Sequence, residues 1–411
     1  MCVVSSRMRR SPLVAALITA FSVVPAAARA DVAECSFGAG TATVTVAIQG
    51  GSAILRRSGD AVTVDGVDCG GTVTGTDAIT VTGTSGDHLT ISLGGGPFAP
   101  GATDEGDGSS EIEITVGGSV SLVIRGSSGP DMILAGSVPS DFPVDAVFDL
   151  NGDEATPDAD VAMPLTALDP TGGLTVELRG GDDTFSGGGF VGALPIPFLG
   201  KVALLRAGGG DDTVQPAGST GIYIGDKGID AFSFRWLPSE CFGEYVAGSG
   251  LLSCGSTGDV SFTGGPFERL LGHAGTDWLG GGARAGVIRG FGGGDQLWVS
   301  PGDGVIDGGP GRDLAIFDEL AAKIHADLRA GTADGGGHRT LDGIESLYGS
   351  KQDDVLIGNG RPNEIQGSAG NDTLYGKGGV DALYGGPGTN GCDAGLPGLG
   401  EAVVDCGPIS P

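Results

Sequence analysis

A nine-residue period runs without a slip from Gly349 to Asp393. The units read GSKQDDVLI, GNGRPNEIQ, GSAGNDTLY, GKGGVDALY and GGPGTNGCD. Position six carries Asp354, Asn363, Asp372, Asp381 and Asn390, and position eight carries Leu356, Ile365, Leu374, Leu383 and Cys392. A period of this length points to a solenoid, in which each short segment buries its apolar face against its neighbours. If two units make one coil, residues eighteen apart stack on one side, about 4.8 Å from each other across parallel strands.

A second, more degenerate register starts at Gly272, with Leu279, Ile288, Leu297, Ile306 and Ala315 at position eight. Position six alternates there between Asp277, Asp295 and Asp313 on one side and Gly286 and Gly304 on the other. The same alternation starts from Ala207, with Asp212, Gly221 and Asp230 at position six. Fragments around Asp131 and Asp183 are single copies and read as ordinary turns.

Composition supports an all-β chain. Gly supplies 82 of the 411 residues, against an average near ~7%, and each Gly inside a helix costs roughly 1 kcal/mol relative to Ala. Collagen is excluded because no three-residue Gly period exists. FDELAAKIHADL, 317–328, is the one stretch of helix-forming composition, and residues 317–348 break the nine-residue period.

The position-six acids carry the chemistry. Stacked carboxylates one strand apart repel by roughly 3.5 kcal/mol at an effective dielectric of 20. A cation between them reverses the sign. Calcium accepts six to eight oxygens in flexible geometry, and Gly-rich turns expose backbone carbonyls beside each carboxylate. The competing reading is a turn closed by Asp or Asn side chains, with no ion.

The units resemble the GGxGxDxUx nonapeptide of the RTX, or haemolysin-type, calcium-binding repeat proteins. That resemblance implies a parallel β-roll with calcium held in the GGxGxD turns. It marks Asp354, Asn363, Asp372, Asp381 and Asn390 as metal-site residues, with Asp277, Asp295, Asp313, Asp212 and Asp230 in the degenerate registers. The sequence departs from the family pattern at position two, which is Gly only in the last unit, and at position four in Gln352 and Arg361.

The N-terminus reads as an export signal. Arg7, Arg9 and Arg10 precede an apolar run from Leu13 to Val24, and Ala28-Arg29-Ala30 fits cleavage after Ala30. The run is too short to cross a bilayer, so no membrane insertion is expected. Removing 1–30 takes away four Arg and no acid, which moves the net charge from −29 to −33. Such a surface repels nucleic acid and anionic lipid. Outside the signal remain six cysteines, expected to pair as Cys35–Cys69, Cys241–Cys254 and Cys392–Cys406.

Upstream, alternating β-branched runs such as 41–48, 78–83, 89–93, 111–116 and 119–124 read as strands of an irregular solenoid or a sandwich. The chain therefore divides into a signal (1–30), a β-rich region (31–175), degenerate repeats (176–316), an irregular insertion or extra coil (317–348), regular repeats (349–393) and a C-terminal cap (394–411). Asp149 to Asp160 has the spacing of an EF-hand-like loop but reads as solvated surface. No H-E-x-x-H or G-x-S-x-G motif is present. The expectation is an exported calcium-binding solenoid, structural or adhesive at the cell exterior, with a surface polysaccharide or a protein as partner. The alternative is a carbohydrate-active β-helix enzyme, of lyase or epimerase type, that carries the roll as a module.

Overall fold

The computed structural model describes residues 32–98, 112–138, 145–150, 160–164, 174–187, 202–216, 221–235, 237, 241–246, 249–253, 259–265, 267–280, 286–395 and 401–409. The expected signal, Cys254 and the middle of the 149–160 loop lie outside them. No helix occurs among the described residues, and the strands join one continuous solenoid.

The repeat region is a parallel roll with the expected spacing. Val355–Ile357 pairs with Thr373–Tyr375, and that strand pairs with Gly391–Asp393, each eighteen residues on. On the other sheet Ser346–Tyr348, Glu364–Gln366 and Ala382–Tyr384 stack in the same way. Arg269–Leu271, Val287–Arg289 and Gly304–Asp307 continue the pattern upstream, beside Asp277–Gly280, Gln296–Trp298 and Leu314–Ile316. Position eight points inward throughout: Leu279, Ile288, Leu297, Ile306, Leu356, Ile365, Leu374 and Leu383 are at most 2% exposed. Each such side chain stabilises the roll by roughly 1.5–3 kcal/mol.

The N-terminal region is a solenoid rather than a sandwich. Thr43–Ile48 and Ser52–Ser58 both pair in parallel with the long strand Ala78–Ser92, which pairs in parallel with Glu113–Arg125. The runs at 78–83 and 89–93 are thus halves of one strand, broken by a register shift between Gly83 and Asp87. Asp87 is fully buried there, where it accepts the N–H groups of Thr84 and Gly51. Hairpins at Val32–Gly38 and Ala61–Thr72 begin the stack, tied by the Cys35–Cys69 disulfide.

Residues 317–348 hold no helix. Phe317, Leu320, Ile324 and Ala326 are buried, but His325–Asp327 is a strand paired in parallel with Val355–Ile357. Here tertiary pairing overrides composition. Two further strands, Thr332–Asp334 and His338–Asp342, pair antiparallel and carry the sheet across the break in period. At the far end, Ala402–Val404 and Gly407–Pro408 form a last coil closed by Cys392–Cys406. Cys241 is also disulfide-bonded.

Candidate metal sites

The position-six side chains form ladders along the solenoid axis. Beyond the first member of each ladder, the side chain turns back so that one oxygen accepts the backbone N–H of the position-six residue one coil earlier. Asp295 Oδ1 accepts from Asp277 N at 2.8 Å, and Asp313 Oδ1 accepts from Asp295 N at 2.8 Å. Asp372 accepts from Asp354, Asn390 from Asp372, and Asp381 from Asn363, each at 2.9 Å. Upstream the order is Asp131, Asp183, Asp212 and Asp230, at 2.8–3.0 Å. Glu268 and Glu345 end two of the ladders by accepting from Asp230 and Asp313, both at 3.1 Å. The structure thus brings all ten predicted residues into ladders, adds Asp131, read from the sequence as an ordinary turn, and likewise adds Asp183. Its partner Asp212 is twenty-nine residues on, so a nine-residue count misses the relation.

The second oxygen divides the turns into two kinds. In Asp277 and Asp354, Oδ2 accepts the N–H of the residue four positions earlier, His273 at 2.7 Å and Ser350 at 2.6 Å. Asp131 does the same with Ser127 at 2.6 Å, and Asn363 Oδ1 accepts from Asn359 at 2.8 Å. These turns are closed. In Asp183, Asp212, Asp230, Asp295, Asp313, Asp372 and Asp381, Oδ2 is buried and has no hydrogen-bond partner. Leaving a buried charged oxygen unsatisfied costs upwards of about 1–3 kcal/mol.

Backbone conformation at position two separates the kinds. The residues four before the seven unpaired acids are Arg179, Gly208, Asp226, Phe291, Gly309, Ser368 and Lys377, and all have φ between 69° and 110°. The four residues that close a turn, Ser127, His273, Ser350 and Asn359, have no positive φ. A non-Gly residue in the left-handed region costs of order 1 kcal/mol, so five side chains hold a strained conformation that leaves a carboxylate oxygen unpaired. The departures from Gly at position two keep the geometry of the pattern at Ser368 and Lys377.

A carbonyl of the next coil lies on the same side of the turn as that second carboxylate oxygen, in unpaired and closed turns alike. A Cβ built on Gly376, at position one, would meet Asp381 Oδ2 at 2.5 Å and the carbonyl of Ala394, in the next coil, at 2.8 Å. Asn390 shows what such a spot attracts. Its Nδ2 donates to the position-two carbonyl of Gly386 at 2.8 Å and to the carbonyl of Asp405 at 3.3 Å. Where Asp replaces Asn, a carboxylate oxygen faces carbonyl oxygens, an arrangement that a cation stabilises. No three His, Cys, Asp or Glu side chains converge among the described residues. The donor set is therefore one carboxylate per turn plus backbone carbonyls. It is all oxygen, the chemistry of calcium rather than zinc.

Burial pushes these carboxyls upward. Asp183 and Asp295 reach about 7, and Asp230, Asp313 and Asp372 about 6; desolvation leads in each case, and neighbouring acids add to it. A second, exposed ladder runs beside the first at position five. Asp353 Oδ1 accepts from Asn371 N and Asn371 Oδ1 from Thr389 N, at 2.8 and 2.9 Å. Asp182 and Asp211 repeat it upstream. Sequence reading missed this role, although the adjacent pairs Asp-Asp and Asn-Asp at positions five and six are its signal.

Residues 340–361 and 357–391 match the RTX calcium-binding nonapeptide repeat, in four copies. No curated protein matches the chain.

Proposed function

We propose that this chain is an exported calcium-binding repeat protein, structural or adhesive, whose calcium sits in the seven turns with an unpaired buried carboxylate oxygen. The observation that carries the reading is that oxygen, found at every position-six Asp whose position-two residue is left-handed and at none whose position-two N–H closes the turn. Asp295, Asp313, Asp372, Asp381, Asp212, Asp230 and Asp183 are the metal-site acids. Asp277, Asp354 and Asn363 begin their ladders as closed turns and hold the ladder rather than the ion. Asn390 fills its turn with its own amide. Calcium supplies the positive charge that these buried oxygens lack, and the residues of the chain place one carboxylate and several carbonyls around each ion.

The N-terminal signal and the disulfides support an extracellular location. Phe242, Trp278 and Trp298 form a half-buried row in which ring centroids are 5.2 and 6.3 Å apart, and aromatics of this kind are enriched at interfaces. Isothermal titration of the mature chain, residues 31–411, with calcium tests the reading. Uptake of about seven ions, with a gain of β signal in circular dichroism and a poor response to magnesium, is the expected result. No heat and an unchanged spectrum would sink it.

A further inference from the structure

Arg339 is 1% exposed, yet among the described residues its guanidinium forms no ion pair, and only the charges of Asp303 and Asp334 act on it from a distance. It donates to Ser300 O from Nη2 at 2.7 Å and from Nε at 3.1 Å. It also reaches the carbonyls of Gly335, Gly337 and Gly336, at 2.9, 3.1 and 3.4 Å. Strand register places Arg339 at position six, opposite Gly304 in the preceding coil. Ser300 and Gly335 each lie four residues before those two positions, so their carbonyls are position-two carbonyls. Gly335 has a positive φ, 130°, as the position-two residues of the unpaired turns do, though beyond their range. The row of position-six residues on this side runs Glu268, Gly286, Gly304, Arg339, so the acids end at Glu268 and two glycines separate it from the arginine.

We propose that the Arg339 guanidinium is a cation built into the chain, doing in this turn what calcium does in the acidic turns. The proposal rests on the calcium reading for the comparison, but the role of Arg339 stands on its own contacts. A planar cation with five donors can bind several carbonyls at once, and unlike an ion it cannot be chelated. Asn390 does the same with a neutral amide, since its Nδ2 also takes a position-two carbonyl. One side of the roll around Gly304–Asp307 and His338–Asp342 is therefore calcium-independent, between stretches that depend on calcium.

Amide hydrogen exchange of the full mature chain, in calcium and in EDTA, tests this. In the wild type, chelation speeds exchange at least ten-fold at Thr373–Tyr375 and leaves Val305–Asp307 and Thr340–Leu341 unchanged within about two-fold. Arg339→Met speeds exchange at the latter strands at least ten-fold in both media, whereas Arg339→Lys, which keeps the charge, retains most of the protection. Arg339→Asp puts an acid on the same carbonyls and should make protection there calcium-dependent, with one more ion in the titration. Equal protection in wild type and Arg339→Met, or an Arg339→Asp chain indifferent to calcium at these strands, overturns the proposal. A wild type indifferent to calcium throughout, with Arg339→Met still unprotected, would overturn the calcium reading and leave the built-in cation standing.

Discussion

Replacing Asp295 by Asn should change stability in opposite directions with and without calcium. The amide oxygen can keep the ladder bond from Asp277 N, now 2.8 Å, and the amide nitrogen can point where Asn390 points its own. Without metal, the change removes a buried charge set between Asp277 and Asp313. Carboxylates one strand apart repel by about 3.5 kcal/mol per pair at a dielectric of 20, and salt and partial protonation reduce the gain to roughly 1–2 kcal/mol. With calcium, the repulsion is already neutralised and an ion is lost. At a hundred-fold excess over Kd, that forfeits about 2.7 kcal/mol.

Thermal unfolding followed by circular dichroism reads both values. For a chain of this size roughly 1–3 °C accompanies each kcal/mol, so Tm should rise by about 1–5 °C in EDTA and fall by about 3–8 °C in calcium. Asp277→Asn makes the contrast. Both of its oxygens are used within the protein, and it pairs with buried His273 at 2.8 Å, so that variant should lose stability in both media. If Asp295→Asn lowered Tm by the same amount in EDTA and in calcium, the unpaired oxygen would not be a metal ligand.

Three other outcomes follow from the same geometry. The folded carboxyls of Asp183, Asp230, Asp295, Asp313 and Asp372 titrate at about 6 to 7, against about 4 unfolded. The folded state then holds more protons between those values, so metal-free stability falls as pH rises from about 4 to about 7; calcium, which displaces those protons, should bind more tightly across the same range, and a metal-free Tm that rises instead would contradict it. Ser368→Gly relieves a φ of 76° and should raise Tm slightly, whereas Ser368→Val should lower it by a degree or more. Removing Cys392–Cys406, which closes a loop of 14 residues, should cost about 3 kcal/mol and open the last coil first, seen as early exchange at Ala402–Val404.

The regular repeats were legible because their period is local. Position eight and position six recur every nine residues from Gly349 to Asp393, and the structure stacks them eighteen apart as the count requires. Asp183 was not legible, because its ladder partner lies across an interruption and only pairing of Thr184–Ser186 with Thr213–Gln215 restores the register. Nor was the N-terminal coil, whose strands are long and irregularly spaced, so that sandwich and solenoid give the same alternation. The helix-like composition of 317–328 misdirects for a further reason. Ile324 N donates to Asp354 Oδ1 at 2.7 Å, so the segment supplies the coil beneath the first regular repeat, a constraint that no local propensity records.

The distinction between closed and unpaired turns could have been read only in part. Asp354 and Asp372 are identical residues at identical positions, yet both oxygens of Asp354 are paired, while Asp372 Oδ2 has no partner. What differs is whether another position-six Asp or Asn lies beneath. Asp131, Asp277 and Asp354 begin ladders and close on their own turn, while the acids stacked above them do not. An ion held between two coils needs a turn on each side of it, so the first acid of a run has no ion to hold and turns to its own backbone instead. On the proposed reading, each run that begins with Asp then carries one fewer site than it has position-six Asp residues. On this logic the roll is loaded from its ladders upward, and a substitution at the base, such as Ser350→Pro, should disturb the closed turn without removing a calcium ligand.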